Sequence, residues 1–168
     1  MIKEFLQYAG EYRLTKIKTF KGRGGIGYDA LLLRNGLEIG SISDYADGGI
    51  LRISIKDSQE KSTLDEYAKT KVHSKFEITE CFLDELVNYE TLIKKISSHV
   101  KKSVPVAVLD NTPDDNGVPL NISIYKCSYT PENVEQIKKK SPSVYFLNDD
   151  FSLLDIPKQK KTKSLKKS

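Results

Sequence analysis

Apolar and polar positions follow the most legible pattern between residues 22 and 56. There GRGGIGYDALLLRNGLEIGSISDYADGGILRISI divides into three apolar, β-branched runs separated by Asn35-Gly36 and Asp47-Gly48-Gly49. An Asn-Gly step between two such runs favours a type I′ turn, because both central residues of that turn need positive φ. The stretch therefore predicts an antiparallel meander. One strand is expected at residues 26–34, with Tyr28, Ala30 and Leu32 on one side and Leu31 and Leu33 on the other, so it should be central and covered on both faces. The next is expected at 37–43. A last one at 50–56 alternates Leu51, Ile53 and Ile55 with Arg52, Ser54 and Lys56, which leaves one face wet. Upstream, residues 11–20 read as a first strand. Its apolar positions Tyr12, Leu14, Ile17 and Phe20 break alternation after Leu14, the mark of a bulge or bend. Ile2, Phe5 and Leu6 open a short helix that Gly10 ends.

Helical spacing takes over beyond residue 57. Asp57 with Glu60, or Ser62 with Asp65, can cap a polar helix carrying Leu64, Tyr67, Ala68 and Lys71. After Phe76-Glu77-Ile78, Thr79 is expected to cap the clearest helix of the chain. Phe82, Leu86, Tyr89, Ile93, Ile96 and Val100 recur there at intervals of 4, 3, 4, 3 and 4, which keeps one stripe towards a partner surface. Lys94, Lys95, Lys101 and Lys102 near its end suit the helix dipole. The stripe reads as a lid on the sheet, with a coiled coil as the rival that lacks regular flanking charge pairs. Residues 104–109 and 120–126 predict a hairpin across DNTPDDNGVP. Thr130-Pro131-Glu132 starts a helix that runs to Lys140 with Val134 and Ile137 inward, and Ser141-Pro142 stops it. A short strand at 144–147 then permits a βαβ crossover, and residues 151–156 form an apolar tail. The expected fold class is α+β: an antiparallel β-meander packed against a long amphipathic helix, then a C-terminal ββαβ segment and a disordered basic tail. One domain is expected over 1–157, the alternative being two lobes, 1–102 and 103–157.

Composition narrows the setting. The chain has 168 residues, 38% hydrophobic and 30% charged, with no apolar run near the ~20 residues of a membrane helix. No membrane partner is expected. The start MIKEFLQYAGEY lacks the apolar core of a secretion signal, so the cytoplasm is the expected compartment, and Cys81 and Cys127 are expected as buried thiols there. The net charge of +4 is misleading. Six lysines lie in the last eleven residues; without them 21 basic residues face 23 acidic ones, so the body carries −2. Residues 158–168, including Lys158, Lys160, Lys161 and Lys163, read as a disordered arm able to attract nucleic acid or acidic proteins without specificity.

Motifs for catalysis are wanting. Gly22, Gly24 and Gly27 spell G-x-G-x-x-G, but dinucleotide binding needs a helix N-terminus after the glycines, and here a strand is expected. The run reads instead as a loop between strands, with Lys21 and Arg23 at its tip. Asp110, Asp114 and Asp115 lack the Glu that closes an EF-hand register. Pro113-Asp114 lacks the downstream acid and lysine of a metal-dependent nuclease. A metal-dependent enzyme using Asp110, Asp114, Asp149 or Asp150 would need at least three of them together. His73 and His99 accompany no nucleophile motif. Catalytic residues, metal and cofactor are therefore all read as none. Tyr12, Tyr28 and Tyr45, with Arg13, Arg23 and Arg52, raise a nucleic-acid alternative in which tyrosines stack on bases.

Two segments, KGRGGIGYDALLLRNGLEIGSISDYADGG and YTPENVEQIKKKSPSVYFLND, resemble small accessory proteins carried by phages and plasmids. The resemblance implies a product that binds a host or defence protein, and brings no active-site residue. The leading expectation is non-enzymatic, stoichiometric binding to a protein through Lys21, Arg23, Tyr28, Tyr45, Asp47 and the tail lysines, because loops on a stiff sheet expose such groups. The pattern leaves the oligomeric state open.

Overall fold

A computed structural model describes residues 2–108 and 122–150. The expectations for Asp110, Asp114 and Asp115, for the apolar run at 151–156, and for Lys158, Lys160, Lys161 and Lys163 lie outside the described residues. The chain opens with α1 (Ile2–Ala9) and continues into β1 (Tyr12–Lys21), β2 (Ile26–Arg34), β3 (Leu37–Asp44) and β4 (Arg52–Ile55). These strands pair in sequence order as an antiparallel meander. At the β2–β3 turn Asn35 and Gly36 have φ of 50° and 79°, the two positive values of a type I′ turn. The break in β1 is a bulge: its register against β2 shifts between Thr15 and Lys18, and Lys16 sits at φ 53°.

Two helices, α2 (Ser58–Lys69) and α3 (Ile78–Val100), follow the meander. Asp57 caps α2, its carboxylate accepting the Gln59 N–H at 2.8 Å. Thr79, in contrast, does not cap α3. Glu77 takes that place in the left-handed region (φ 50°) without a side-chain cap. Because the helix starts one residue before Thr79, that hydroxyl projects sideways and donates to Asp65 at 2.7 Å, tying α3 to α2. One face of the meander, through Tyr12, Leu14, Tyr28, Ala30, Leu32 and Ile42, packs under α1, α2 and the first half of α3. Aromatic rings fill the middle of that core. Tyr8 lies 5.3 Å from Phe82 and Tyr12 5.1 Å from Tyr67, centroid to centroid, within the range of favourable ring pairs.

The C-terminal part adds β5 (Val106–Val108), β6 (Ile122–Ile124), α4 (Pro131–Lys140), β7 (Tyr145–Phe146) and α5 (Leu147–Asp150). Thr130 caps α4 and Pro131 opens it, as the residues predict. The second sheet has the order β6-β5-β7, with both neighbours antiparallel to β5. The two strands of the expected hairpin therefore pair, and its connection lies outside the described residues. The crossover takes a split form: β6 and β7 run parallel, joined through α4, with β5 between them. Leu147 begins α5 instead of ending the last strand. Helix α3 spans ~34 Å at its standard rise and serves both cores. Phe82, Leu86, Tyr89 and Ile93 belong under the meander, Ile96 packs with Val106, Val108 and Leu147, and Leu92 touches both groups.

Candidate functional site

In an antiparallel meander the β1–β2 and β3–β4 connections emerge at the same end, so the glycine loop and the Asp47-Gly48-Gly49 loop become neighbours. They lie against each other. The Gly22 N–H donates to the Gly25 carbonyl at 2.9 Å, and the Gly24 N–H donates across to the Ala46 carbonyl at 2.5 Å. A Cβ on Gly22 would overlap the Tyr45 carbonyl oxygen, and one on Gly24 would lie 2.8 Å from that of Ala46. Small residues are required because two backbones meet there. Gly27 lies within β2 opposite Phe20, and no helix follows it, so the loop lacks the helix N-terminus on which dinucleotide binding rests.

Acidic side chains shape the second loop. Asp44 accepts the Ala46 N–H at 2.7 Å and Asp47 accepts the Gly49 N–H at 2.9 Å, side-chain turns that suit these residue types. The loop presents Tyr45, whose ring lies 6.0 Å from Phe20 on one side and 4.6 Å from the Arg52 guanidinium on another. Beside it opens a shallow hollow of about 680 Å³ lined by Lys21, Gly22, Arg23, Tyr45, Asp47 and Arg52. Lys21, Arg23 and Arg52 are exposed. Among the described residues none of the three forms an ion pair with a carboxylate. Ile26, at the start of β2, and Ile50, in the β3–β4 connection, lie at the same end and are 74% and 72% exposed.

Lys21, Arg23, Tyr45 and Asp47 are thus brought together, and Tyr28 is not. Its ring shares the inward side of β2 with Ala30 and Leu32, it is 7% exposed, and its hydroxyl donates to Asp84 on α3. Burial, with the carboxylate beside it, pushes that phenol above its ordinary range. Tyr12 is fully buried and burial pushes it up to about 12. Of the three tyrosines expected to offer faces to bases, Tyr12 and Tyr28 lie on the face that α3 covers and Tyr45 is exposed on the loop. Arg13 is likewise engaged, held by Glu90.

Glu90 and Asp84 carry no expectation from the sequence. Glu90 lies four residues after Leu86 and three before Ile93, the spacing of the apolar stripe itself, and a carboxylate at such a position is the signal that marks it. Cys81 and Cys127 are free and half-buried rather than buried. Burial pushes the Cys81 thiol up, away from nucleophilic use. His73 is exposed, His99 is half-buried in the last turn of α3, and Asp149 accepts the Tyr129 hydroxyl at 2.7 Å. Among the described residues no three metal-binding side chains cluster, and no helix is long and apolar enough to cross a membrane. Comparison of the chain with protein-family models, curated proteins and solved structures finds no match in any of the three.

Proposed function

We propose that this protein acts by stoichiometric, non-catalytic binding of a partner protein at the loop end of the meander, and that the segment it takes is acidic with apolar side chains interspersed. The observation that carries the reading is the hollow itself. Three cations without ion-pair partners among the described residues line it around an aromatic plate, with Asp47 the one carboxylate among the lining residues described. Exposed Ile26 and Ile50 at the same end supply the apolar contact that protein interfaces use and a nucleic-acid backbone does not need. The stack of Phe20, Tyr45 and Arg52 limits side-chain freedom before binding, which lowers the entropy lost on association. Lys158, Lys160, Lys161 and Lys163 add attraction without specificity in this reading. The accessory-protein context makes the partner a host or defence protein.

Affinity purification from host lysate, with nuclease and without, tests it. Wild-type protein should retain a partner after nuclease treatment, and the K21E/R23E/R52E variant should lose it while melting at the wild-type temperature. A partner recovered only when nucleic acid is left intact, or recovered equally by the triple variant, would overturn the proposal.

A further inference from the structure

A second basic groove lies away from the meander tip, between β1 and α3, and encloses about 470 Å³. Its floor is apolar, from Leu14, Ile17 and Ile93; its rim carries Lys16, Lys94 and Lys101. All three lysines are exposed, and among the described residues none forms an ion pair. The carboxylate that lines the groove, Glu90, is already engaged. It receives Arg13 Nε at 2.5 Å and Nη2 at 3.1 Å, and the Leu14 N–H at 3.4 Å. The groove is therefore left with three uncompensated positive charges over an apolar floor.

Helix-dipole compensation accounts for Lys101, the C-cap of α3, but not for the other two lysines. The dipole acts within the last turn, whereas Lys94 lies six residues before the end of α3 and Lys16 belongs to another element. Lys16 reaches the rim because the bulge inserts it at φ 53°, and bulges recur where a side chain is re-aimed at a site. Ser97 and Ser98 add hydroxyls along the same wall. Glu90 shows what this edge of the sheet accepts, since a carboxylate there takes a backbone N–H and a guanidinium together.

We propose that the groove between β1 and α3 is a docking site for an extended peptide segment of a partner protein that carries carboxylates among apolar residues. The acids would pair with Lys16, Lys94 and Lys101 and the apolar side chains would lie on Leu14, Ile17 and Ile93. The site is separate from the meander tip and does not rest on the reading given to it.

The probe is a fluorescein-labelled eight-residue peptide alternating Glu and Leu, titrated against the full chain by anisotropy. Saturable binding that weakens with added salt is expected. The K94E/K101E variant should bind at least about tenfold more weakly, since two surface pairs are each converted from attraction to repulsion, with the far-ultraviolet circular dichroism of the folded protein unchanged. The K21E/R23E/R52E variant should bind as wild type, which separates this site from the tip. An all-Glu peptide should bind more weakly than the alternating one. Absence of saturation at millimolar protein, equal binding by K94E/K101E, equal affinity for the all-Glu peptide, or displacement by a single-stranded oligonucleotide at lower concentration than by unlabelled peptide would each overturn the proposal.

Discussion

A carboxylate set into an apolar stripe is stable only with donors around it, and Glu90, 9% exposed, has three: two from Arg13 and one from Leu14. Removing one partner of such a pair leaves the other charge uncompensated, which costs about 3 kcal/mol or more when both are buried; Arg13 is a quarter exposed and the loss should sit at the low end. Glu90→Ala is expected to lower urea-unfolding stability by roughly that amount, and a change below measurement error would refute the role. Glu11 acts by pH. The Arg34 guanidinium, 3.1 Å away, holds its carboxyl below the usual carboxylate range, and Asn35 adds a second donor. A group whose pKa is lower folded than unfolded adds stability that is complete above its unfolded value, about 4.3, and is lost as pH falls through the folded value. Glu11→Gln should therefore melt below wild type at pH 7, with the gap closing as pH falls below about 4. Melting curves that stay parallel across that range would show that Glu11 contributes no such term.

Elements differ in how far a local sequence specifies them. The Asn35-Gly36 turn and the β1 bulge were legible because two or three adjacent residues decide them. The long stripe on α3 was legible because its period repeats for five intervals. Thr79 was misleading because a cap is a matter of one residue: the helix begins at Ile78, and the Thr79 hydroxyl is left to bond Asp65 on another helix. The candidate site was readable in its residue types but not in its membership. Arg23, Tyr45 and Asp47 in the loops, with Lys21 at the end of β1, follow from turn chemistry, whereas the inward side of β2 takes Tyr28 away. The Arg13–Glu90 link joins positions 77 residues apart, a separation that no local pattern carries. Gly22→Ala tests the element-level account. Its Cβ would meet the Tyr45 carbonyl oxygen, so the two loops must part. A loss of about 1–2 kcal/mol is expected, with faster amide exchange at Gly24. Unchanged exchange there would mean that the glycine is not needed for the approach.

For the molecule as a whole, α3 joins the two sheets through one apolar stripe, and Leu92 packs against both cores. Unfolding should therefore report one transition, with near-ultraviolet and far-ultraviolet circular dichroism coinciding. Leu92→Ala, which removes packing from both sides, should cost about 2–3 kcal/mol and shift both probes together; two separated transitions would show that the halves fold independently. The placement of Glu90 reaches further still. Its carboxylate takes the Leu14 N–H on the outer border of β1, so one of the groups a further strand would need there is already occupied. A strand laid along that border would have to displace a buried, three-times-bonded carboxylate at this position, a local obstacle to edge-to-edge assembly.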